Sequence, residues 1–299
     1  MALRLLNDGV ADTGGPRAAA AAPAPDGSQL PYRLPGRGAT FATPLDLNWL
    51  GLWTLYAKEV RRFLKVWTQT LLAPVITTMV FLAIFALALH QTARTIGGLP
   101  FLEFLGPGLV MMAVVQNAFS NTSSSLVIAK IQGNIVDYLM PPLSPGEFLF
   151  GIVAGGVTRG FLVGATVYAS MLPFVALPLT NLGLVLYYVL ASSLMLSLLG
   201  VLGGLWSEKF DQIAAVTNFV VTPLSFLSGT FYSVEALPEQ LRWVALANPF
   251  FYMIDGVRYA FTGHADGSVP LGVAMLALVD VGLWWWAFEL FRRGYKLKA

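Results

Sequence analysis

The sequence predicts an all-α polytopic membrane protein with six transmembrane helices. Of its 299 residues, 56% are hydrophobic and 11% are charged, whereas about 25% are charged in an ordinary soluble domain. Apolar runs of about 20 residues, the length that crosses a bilayer as a helix, recur between residues 70 and 291. One further stretch, Thr222 to Phe261, is apolar but broken by glycine, proline and charged residues, which predicts a more complex structure before the last helix.

Composition also limits the function. The net charge of +2 argues against a nucleic-acid partner, which needs a clustered basic face. The lack of cysteine excludes disulfides and cysteine-ligated metals, and two histidines offer no obvious metal site. The phosphate-binding pattern G-x-x-x-x-G-K-[ST] does not occur. We therefore expect no catalytic residue, cofactor or metal in this chain, so that any ATP is bound by a separate subunit.

The chain begins with a segment of low complexity. Residues 1–43 are rich in alanine, proline and glycine and predict a disordered cytoplasmic tail, so residues 44–299 are assigned to the transmembrane domain. In 45–67, Trp49, Trp53 and Tyr56 lie on one helical face, and basic residues lie largely on the other. This pattern is typical of an amphipathic helix in the membrane interface.

The six spans are predicted at 70–90, 104–128, 147–175, 182–206, 212–231 and 269–291. Two of them contain an ionisable residue, Arg159 in the third and Asp280 in the sixth. A charge at this depth costs about 2.5–3.5 kcal/mol on insertion scales and marks a pathway or a pair. We interpret the two residues as a structural ion pair or parts of a polar network, and a role in transport is the alternative.

Residues 232–262 are predicted to form a re-entrant helical hairpin between the fifth and sixth spans. Gly229, Pro238 and Pro249 break the apolar run. Non-helical backbone lies at membrane depth only where protein or a wet cavity satisfies its polar groups. Two half-helices that enter the membrane and turn back fit this pattern, and a surface loop with a short amphipathic helix is the alternative.

The segment between the second and third spans predicts a short cytoplasmic helix at 131–140. Ile131, Ile135, Tyr138 and Leu139 share one face, and prolines follow. Nothing in the chain itself covers this apolar face, so a partner protein is the natural cover. Contact with the bilayer surface is the alternative.

Basic residues set the predicted orientation, because they stay on the cytoplasmic side. One set of flanks holds most of them, namely Lys58, Arg61, Arg62, Lys65, Lys130, Lys209, Arg292, Arg293, Lys296 and Lys298. The other set holds Arg94, Arg242 and Arg258. Both termini are therefore predicted to be cytoplasmic, with the hairpin entering from the outer side.

Two segments carry a resemblance to a known family. The first runs from Gly133 to Pro142-Leu143-Ser144, with Glu147 opening the next span. The second is longer and more specific, and consists of Pro223, Leu224, Ser228, Gly229, Phe231, Tyr232, Leu237, Pro238, Asn248, Pro249, Tyr252 and Arg258. Together they resemble the ABC-2 type permease family, the six-helix membrane subunits of bacterial ABC exporters, and within it the inner-membrane YadH-type branch. The resemblance covers about residues 45 to 295. Val136 stands where many members carry an acid, with Asp137 beside it.

This resemblance implies a homodimer in the bacterial inner membrane, working with two copies of a separate ATPase that binds ATP and magnesium. It implies that 131–140 is a coupling helix docking in the ATPase, and that the interface helix moves with it as a lever. The coupling residues are then Ile131, Gly133, Ile135, Asp137, Tyr138, Leu139, Lys58 and Glu59. The expected outer gate and substrate path comprise Phe226, Gly229, Phe231, Tyr232, Asn248, Pro249 and Tyr252.

The function implied is export of a lipid-like, amphiphilic or glycoconjugate substrate. The aromatic residues of the gate suit such cargo, and an aromatic belt at the membrane interface explains them equally well. Two alternatives from other classes are a secondary transporter driven by an ion gradient, with Asp280 or Arg159 as a relay, and a membrane scaffold without transport activity.

Overall fold

The computed structural model describes residues 47–89, 95–133 and 143–296. Six helical segments in it are long and apolar enough to cross a membrane: Thr68–Ala88, Phe101–Ile131, Pro145–Met171, Leu182–Trp206, Phe210–Leu227 and Val269–Arg292. The prediction of an all-α polytopic membrane protein is therefore confirmed in outline. The spans differ from the predicted ranges by a few residues at their ends, and the fourth has the predicted bounds.

The helices follow the chain in this order: α1 Trp49–Leu64, α2 Ala73–Leu89, α3 Phe101–Ile131, α4 Pro145–Met171, α5 Leu182–Trp206, α6 Phe210–Val216, α7 Thr222–Leu227, α8 Glu239–Ala247, α9 Pro249–Thr262 and α10 Val269–Arg292. A short 3₁₀ helix covers Val234–Ala236. The sequence analysis did not predict the small antiparallel hairpin of β1 Thr95–Ile96 and β2 Leu99–Pro100. Gly97 and Gly98 form its turn with φ angles of 56° and 79°, the left-handed conformation that two-residue hairpin turns require.

Helices α3, α4 and α5 form the core of the bundle. In the most apolar 18-residue windows of these helices, 72%, 56% and 67% of residues are buried, against 11% in the first and fifth spans. Small residues let the core helices approach closely. A Cβ atom on Gly156 would lie 2.4 Å from Ser197 Oγ, and one on Gly200 would lie 2.1 Å from Thr122 Oγ1. The first and fifth spans therefore lie at the periphery of a tightly packed centre.

The two peripheral spans share a local irregularity. A π-helical turn covers Thr68–Leu72 in the first and Thr217–Val221 in the fifth. In each case a proline, Pro74 or Pro223, follows two residues after the turn. Proline has no N–H group, and its ring clashes with the carbonyl group four residues earlier, so the preceding turn widens to bonds between residues five apart.

Helix α9 does not fit the pattern of a span. Its 14 residues extend about 21 Å at 1.5 Å per residue, short of a hydrocarbon core of about 30 Å. It nevertheless is almost wholly buried, from Phe250 through Arg258. Helix α8 before it is mostly exposed. Asn248 ends α8 and caps α9, because its Oδ1 accepts a hydrogen bond of 3.1 Å from Phe250 N.

Several predictions lie outside the described residues. These are the tail at 1–43 and, within the predicted coupling helix, Ile135, Asp137, Tyr138 and Leu139. Ile131 is the last residue of α3 and is 52% exposed. Gly133 follows it with a φ angle of 70°, the left-handed conformation that commonly ends a helix.

Candidate transport pathway

A polar crevice of about 210 Å³ lies between the first span and α3. Its walls combine amide and hydroxyl side chains with apolar ones, and are formed by Gln69, Ala73, Pro74, Thr77, Thr78, Phe81, Leu109, Met112, Ala113, Gln116 and Asn117. On the first span, Gln69, Ala73 and Thr77 follow one another at intervals of four residues, so one helical face carries that wall. The crevice therefore extends along the first span from Gln69 toward Phe81.

A larger cavity of about 630 Å³ lies among α5, α7, α9 and α10 and is of a different kind. Most of its lining is aliphatic or aromatic. The amide of Asn248 lines it, but its Nδ2 already donates hydrogen bonds to Ser228 Oγ at 2.8 Å and Leu224 O at 3.2 Å. The polar crevice is thus the better candidate for recognising a polar ligand.

Arg159 joins α4 to the wall of the crevice. Its Nη2 donates a hydrogen bond of 2.9 Å to Oδ1 of Asn117, which lines the crevice. The other side of the amide is also fixed, because Asn117 Nδ2 donates to Ala113 O at 3.0 Å. Next to Arg159, the hydroxyl groups of Thr158 and Tyr56 lie 3.0 Å apart, so this part of α4 also contacts α1.

A second polar group holds α1 against α3. Glu59 is fully buried, and its carboxylate accepts hydrogen bonds from Ser125 Oγ at 2.8 Å and Arg62 Nη2 at 2.9 Å. The same Arg62 nitrogen donates to Asn121 O at 2.8 Å. A Cβ atom on Gly155 would lie 2.6 Å from Glu59 Cβ, which shows how closely α4 packs here. Glu59, predicted to couple to the ATPase, thus faces the core, whereas Lys58 is exposed.

An aromatic cluster, defined as Phe81, Phe85, Phe101, Phe226 and Phe231, lies at the Phe81 end of the crevice. Phe231 is its centre, with ring centroids 6.1 Å from Phe81, 5.4 Å from Phe85 and 5.4 Å from Phe226. Phe85 also pairs with Phe101 at 5.8 Å. Since Phe81 belongs both to this cluster and to the crevice wall, the aromatic rings border the crevice at this end.

The backbone behind the cluster is held by a fully buried arginine. Arg258 on α9 donates hydrogen bonds to Gly229 O at 2.6 Å and Phe104 O at 3.2 Å. Its guanidinium also lies 3.8 Å from the centre of the Phe104 ring. Gly229 has a φ angle of 78°, which favours glycine, and it marks the turn after α7. Arg258 therefore connects this turn to the core helix α3.

The loop before α10 adds a network of hydrogen bonds. Asp255 accepts from the backbone N–H groups of Asp266 and Gly267 at 2.8 and 2.9 Å. Asp266 in turn accepts from Ser233 Oγ at 2.7 Å and Val234 N at 2.9 Å. His264 Nε2 lies 3.1 Å from Asp266 Oδ1. These contacts tie the 3₁₀ helix, α9 and the start of α10 together.

The remaining residues predicted for the gate are placed by α7 and α9. Tyr232 donates to Leu227 O at 2.8 Å, and Pro249 opens α9. Tyr252 is buried and packs edge-on against Phe251, with ring centroids 5.2 Å apart. Of the predicted gate residues, Phe226 and Phe231 meet in the aromatic cluster. Gly229 and Tyr232 lie in the bend after α7, and Asn248, Pro249 and Tyr252 lie at the start of α9.

Arg159 and Asp280 are not an ion pair within the residues that the structure describes. Arg159 belongs to a polar network with Asn117 on α3. Asp280 is 7% exposed and its Oδ1 has no hydrogen-bond partner in the described chain. Of the two structural interpretations, the network therefore applies to Arg159 and the pair does not form.

Sequence reasoning missed some of the residues that define this site. Glu59 shares a buried stripe with Leu52, Leu55 and Phe63, and that spacing of three and four residues is the signal that could have placed it inside. Phe81 and Phe85 carry no such signal, because phenylalanine is ordinary at any position of a spanning helix.

Comparison with known proteins agrees with this architecture. The profile of the ABC-2 type transporter family matches residues 51–262, more than two thirds of the chain. The chain is 36% identical to the inner membrane transport permease YadH of Escherichia coli (strain K12) over 255 residues, which cover 85% of this chain and 100% of that protein. It is 24% identical to nodulation protein J of Neorhizobium galegae over 263 residues, covering 86% of this chain and 98% of that protein. Because the family profile matches most of the chain and the relatives align over nearly their whole length, the chain belongs to the ABC-2 type transporter family.

Proposed function

We propose that this chain is the permease subunit of an ATP-binding-cassette exporter in the bacterial inner membrane. It moves a lipid-like, amphiphilic or glycoconjugate substrate and has no enzymatic activity of its own. The observation that carries the proposal is the polar crevice bordered at one end by the aromatic cluster. A crevice with polar and apolar walls suits a substrate that has both kinds of surface, and the rings at its end suit a gate.

The side of the membrane follows from the basic residues. Lys and Arg residues flank the Gln69 end of the first span, so this end and both termini are cytoplasmic. The aromatic cluster then lies toward the outer side and acts as the outer gate. In this orientation residues 232–262 form the re-entrant hairpin, because α9 is buried yet too short to cross.

A second copy of the chain completes the pathway. The first and fifth spans are the least covered by their own protomer, with 11% of the window residues buried in each. The polar crevice lies beside the first span, and polar groups that face lipid find no partner there. A homodimer that joins these faces encloses the crevice between two protomers.

The energy comes from two copies of a separate ATPase that bind ATP and magnesium. The coupling helix at 131–140, outside the described residues apart from its first three positions, docks in that ATPase. The interface helix α1 passes its movement to the core through Glu59 and Arg62, whose hydrogen bonds reach Ser125 and Asn121 on α3. Lys58 is the exposed member of the coupling set on α1.

Affinity purification of the full chain from its native membranes tests this function. We expect an ABC ATPase to co-purify with the wild type, and the double substitution Ile135→Ala with Tyr138→Ala to reduce its recovery several-fold. Gln240→Ala on α8, at the opposite side of the membrane in this proposal, is the matched control. Equal recovery from the double variant would remove the coupling assignment, and absence of any ATPase would favour a scaffold.

Asp280 gives specific support to a second candidate, a transporter driven by an ion gradient. A buried carboxylate with an unpartnered oxygen is a typical proton or cation site in a membrane. A transport assay distinguishes the ATP-driven exporter from the gradient-driven transporter. If Asp280→Asn abolished transport while an inactive ATPase did not, the gradient-driven mechanism would replace the one proposed above.

A further inference from the structure

We propose that the crevice between the first span and α3 recognises the anionic headgroup of an amphiphile, and that Arg159 supplies the positive charge for it. This inference rests on the proposed function and specifies its substrate class.

The charges around Arg159 do not balance. Arg159 has no ion pair in the described chain, and Glu59, the carboxylate buried between α1 and α3, is already bonded to Arg62 at 2.9 Å. Asp280 makes no ion pair with Arg159. One positive charge therefore has no counter-charge at a depth where it costs about 2.5–3.5 kcal/mol.

The hydrogen-bond donors around the crevice are also incompletely used. A guanidinium group has five N–H donors, and the contact to Asn117 occupies one nitrogen. The buried Nε of Arg159 has no partner among the described residues. Gln69, Thr77 and Gln116 line the crevice and make no side-chain hydrogen bond within the described chain. Arg159 is not part of the crevice wall itself; it lies one hydrogen bond behind the wall residue Asn117. Its positive charge therefore acts on an anionic headgroup through Asn117, while Gln69, Thr77 and Gln116 offer donors to phosphate or carboxylate oxygens within the crevice.

The crevice size fits a headgroup better than a complete amphiphile. Its volume of about 210 Å³ lies below the roughly 300–1,000 Å³ of pockets that enclose whole ligands. The apolar walls at Leu109, Met112 and Phe81 continue toward the aromatic cluster. The headgroup is held between Gln69 and Asn117, and the hydrocarbon chains extend past these apolar residues.

Binding to the full-length permease in neutral detergent, without ATP or ATPase, tests the inference. The probes are dioctanoyl phosphatidic acid, dioctanoylglycerol with the same chains but no phosphate, and inorganic phosphate. We expect the wild type to bind the phosphatidic acid at least tenfold tighter than the diacylglycerol, and inorganic phosphate weakly. Arg159→Gln removes most of this preference, whereas Arg159→Lys retains part of it. Arg242→Gln, on exposed α8, is the matched control and binds as the wild type.

Two further variants keep the test decisive if Arg159→Gln does not fold. Thr77→Phe fills the crevice without touching Arg159 and should weaken both lipid probes. Gln116→Leu should reduce the preference for the phosphate headgroup. Equal affinity of the wild type for the two lipid probes, or an unchanged preference in a folded Arg159→Gln protein, overturns the inference. The binding assay contains no ATPase, so either of these results would overturn headgroup recognition without affecting the proposed exporter function. Conversely, failure to recover an ATPase in the affinity purification would leave selective headgroup binding unaffected.

Discussion

The Arg258 side chain donates a hydrogen bond of 2.6 Å to the carbonyl oxygen of Gly229. The contact joins the buried helix α9 to the left-handed turn that follows α7. Because the same side chain reaches Phe104 on α3, one residue fixes the position of the proposed outer gate relative to the core.

Replacing Arg258 should therefore destabilise the whole protein. Arg258→Ala leaves Asp255 buried without its nearby cation, which lies 3.9 Å away, and removes the donors to two carbonyl groups. Loss of one partner from a buried charged pair costs about 3–5 kcal/mol. We expect the apparent melting temperature in detergent to fall by about 10 °C, at roughly 2–4 °C per kcal/mol. Arg242→Ala on exposed α8 is the control, and a similar melting temperature for both variants would contradict the role of Arg258.

Substitution of Glu59 should loosen the interface helix. Glu59→Ala removes the acceptor for Ser125 and Arg62, and we expect a loss of about 1–3 kcal/mol because donors are left unpaired. Hydrogen–deuterium exchange over residues 49–64 should accelerate more than exchange in α5. Arg61→Ala, an exposed residue on the same helix, should leave exchange unchanged. Equal acceleration in both variants would show that Glu59 has no special structural part.

Close packing of α3 against α5 predicts a strong effect at Gly200. A Cβ atom there would lie 2.5 Å from the carbonyl oxygen of Phe119, which cannot move without displacing α3. Gly200→Ala should cost about 1–3 kcal/mol through overpacking. Gly282→Ala is a matched control in α10, where a Cβ atom meets nothing within 4 Å, and helix propensity predicts a neutral or slightly stabilising effect. Thermal unfolding of the two variants gives the comparison.

Replacing Phe231, the central ring of the aromatic cluster, by alanine should open the proposed outer gate. The chain has no cysteine, so a single Thr77→Cys substitution reports on the crevice without background labelling. We expect a membrane-impermeant thiol reagent added outside to react about tenfold faster when Phe231→Ala is also present, since each ring pair contributes about 0.5–1.5 kcal/mol. Phe174→Ala, an exposed ring outside the cluster, serves as control. An unchanged rate would mean that the cluster does not close the crevice.

The same absence of cysteine permits a direct test of orientation. Gln240→Cys on α8 should be labelled by an impermeant reagent added outside the cell, and Asp211→Cys at the start of α6 should be labelled only after the membrane is opened. Both positions are exposed, so a difference in labelling reports on the side of the membrane. The reverse result would place the hairpin in the cytosol and remove the proposed outer gate.

The sequence alone predicts the spans well because their signal is local. Length and apolarity decide whether a helix crosses a bilayer, and Gly229, Pro238 and Pro249 mark where the pattern breaks. The partners of buried charges depend on contacts between distant segments. Arg159 meets Asn117, 42 positions earlier, and Arg258 meets Phe104, 154 positions earlier. No local pattern encodes such contacts, which is why the sequence left open whether Arg159 and Asp280 form a pair or belong to a polar network.

Glu59 shows a related limit of local reasoning. By residue type, each charged side chain in this run is equally suited to water. The spacing of Glu59 from Leu55 and Phe63 is compatible with burial, but which side chain is buried depends on the rotation of α1 about its axis. That rotation is set by packing against Gly151 and Gly155 of α4, where a Cβ atom would lie 2.7 Å from Leu55 Cδ2 and 2.6 Å from Glu59 Cβ.

The proline-dependent π turns at Thr68–Leu72 and Thr217–Val221 have a mechanical consequence. Each interrupts the regular α-helical hydrogen bonding of a peripheral helix, while α3, α4 and α5 contain no π-helical turn and are held together by close contacts at glycine residues. Bending is therefore least costly in the first span, which borders the crevice, and in the fifth span at the periphery of the bundle. The molecule is rigid at its centre and compliant at its margin, so an applied force deforms the margin first.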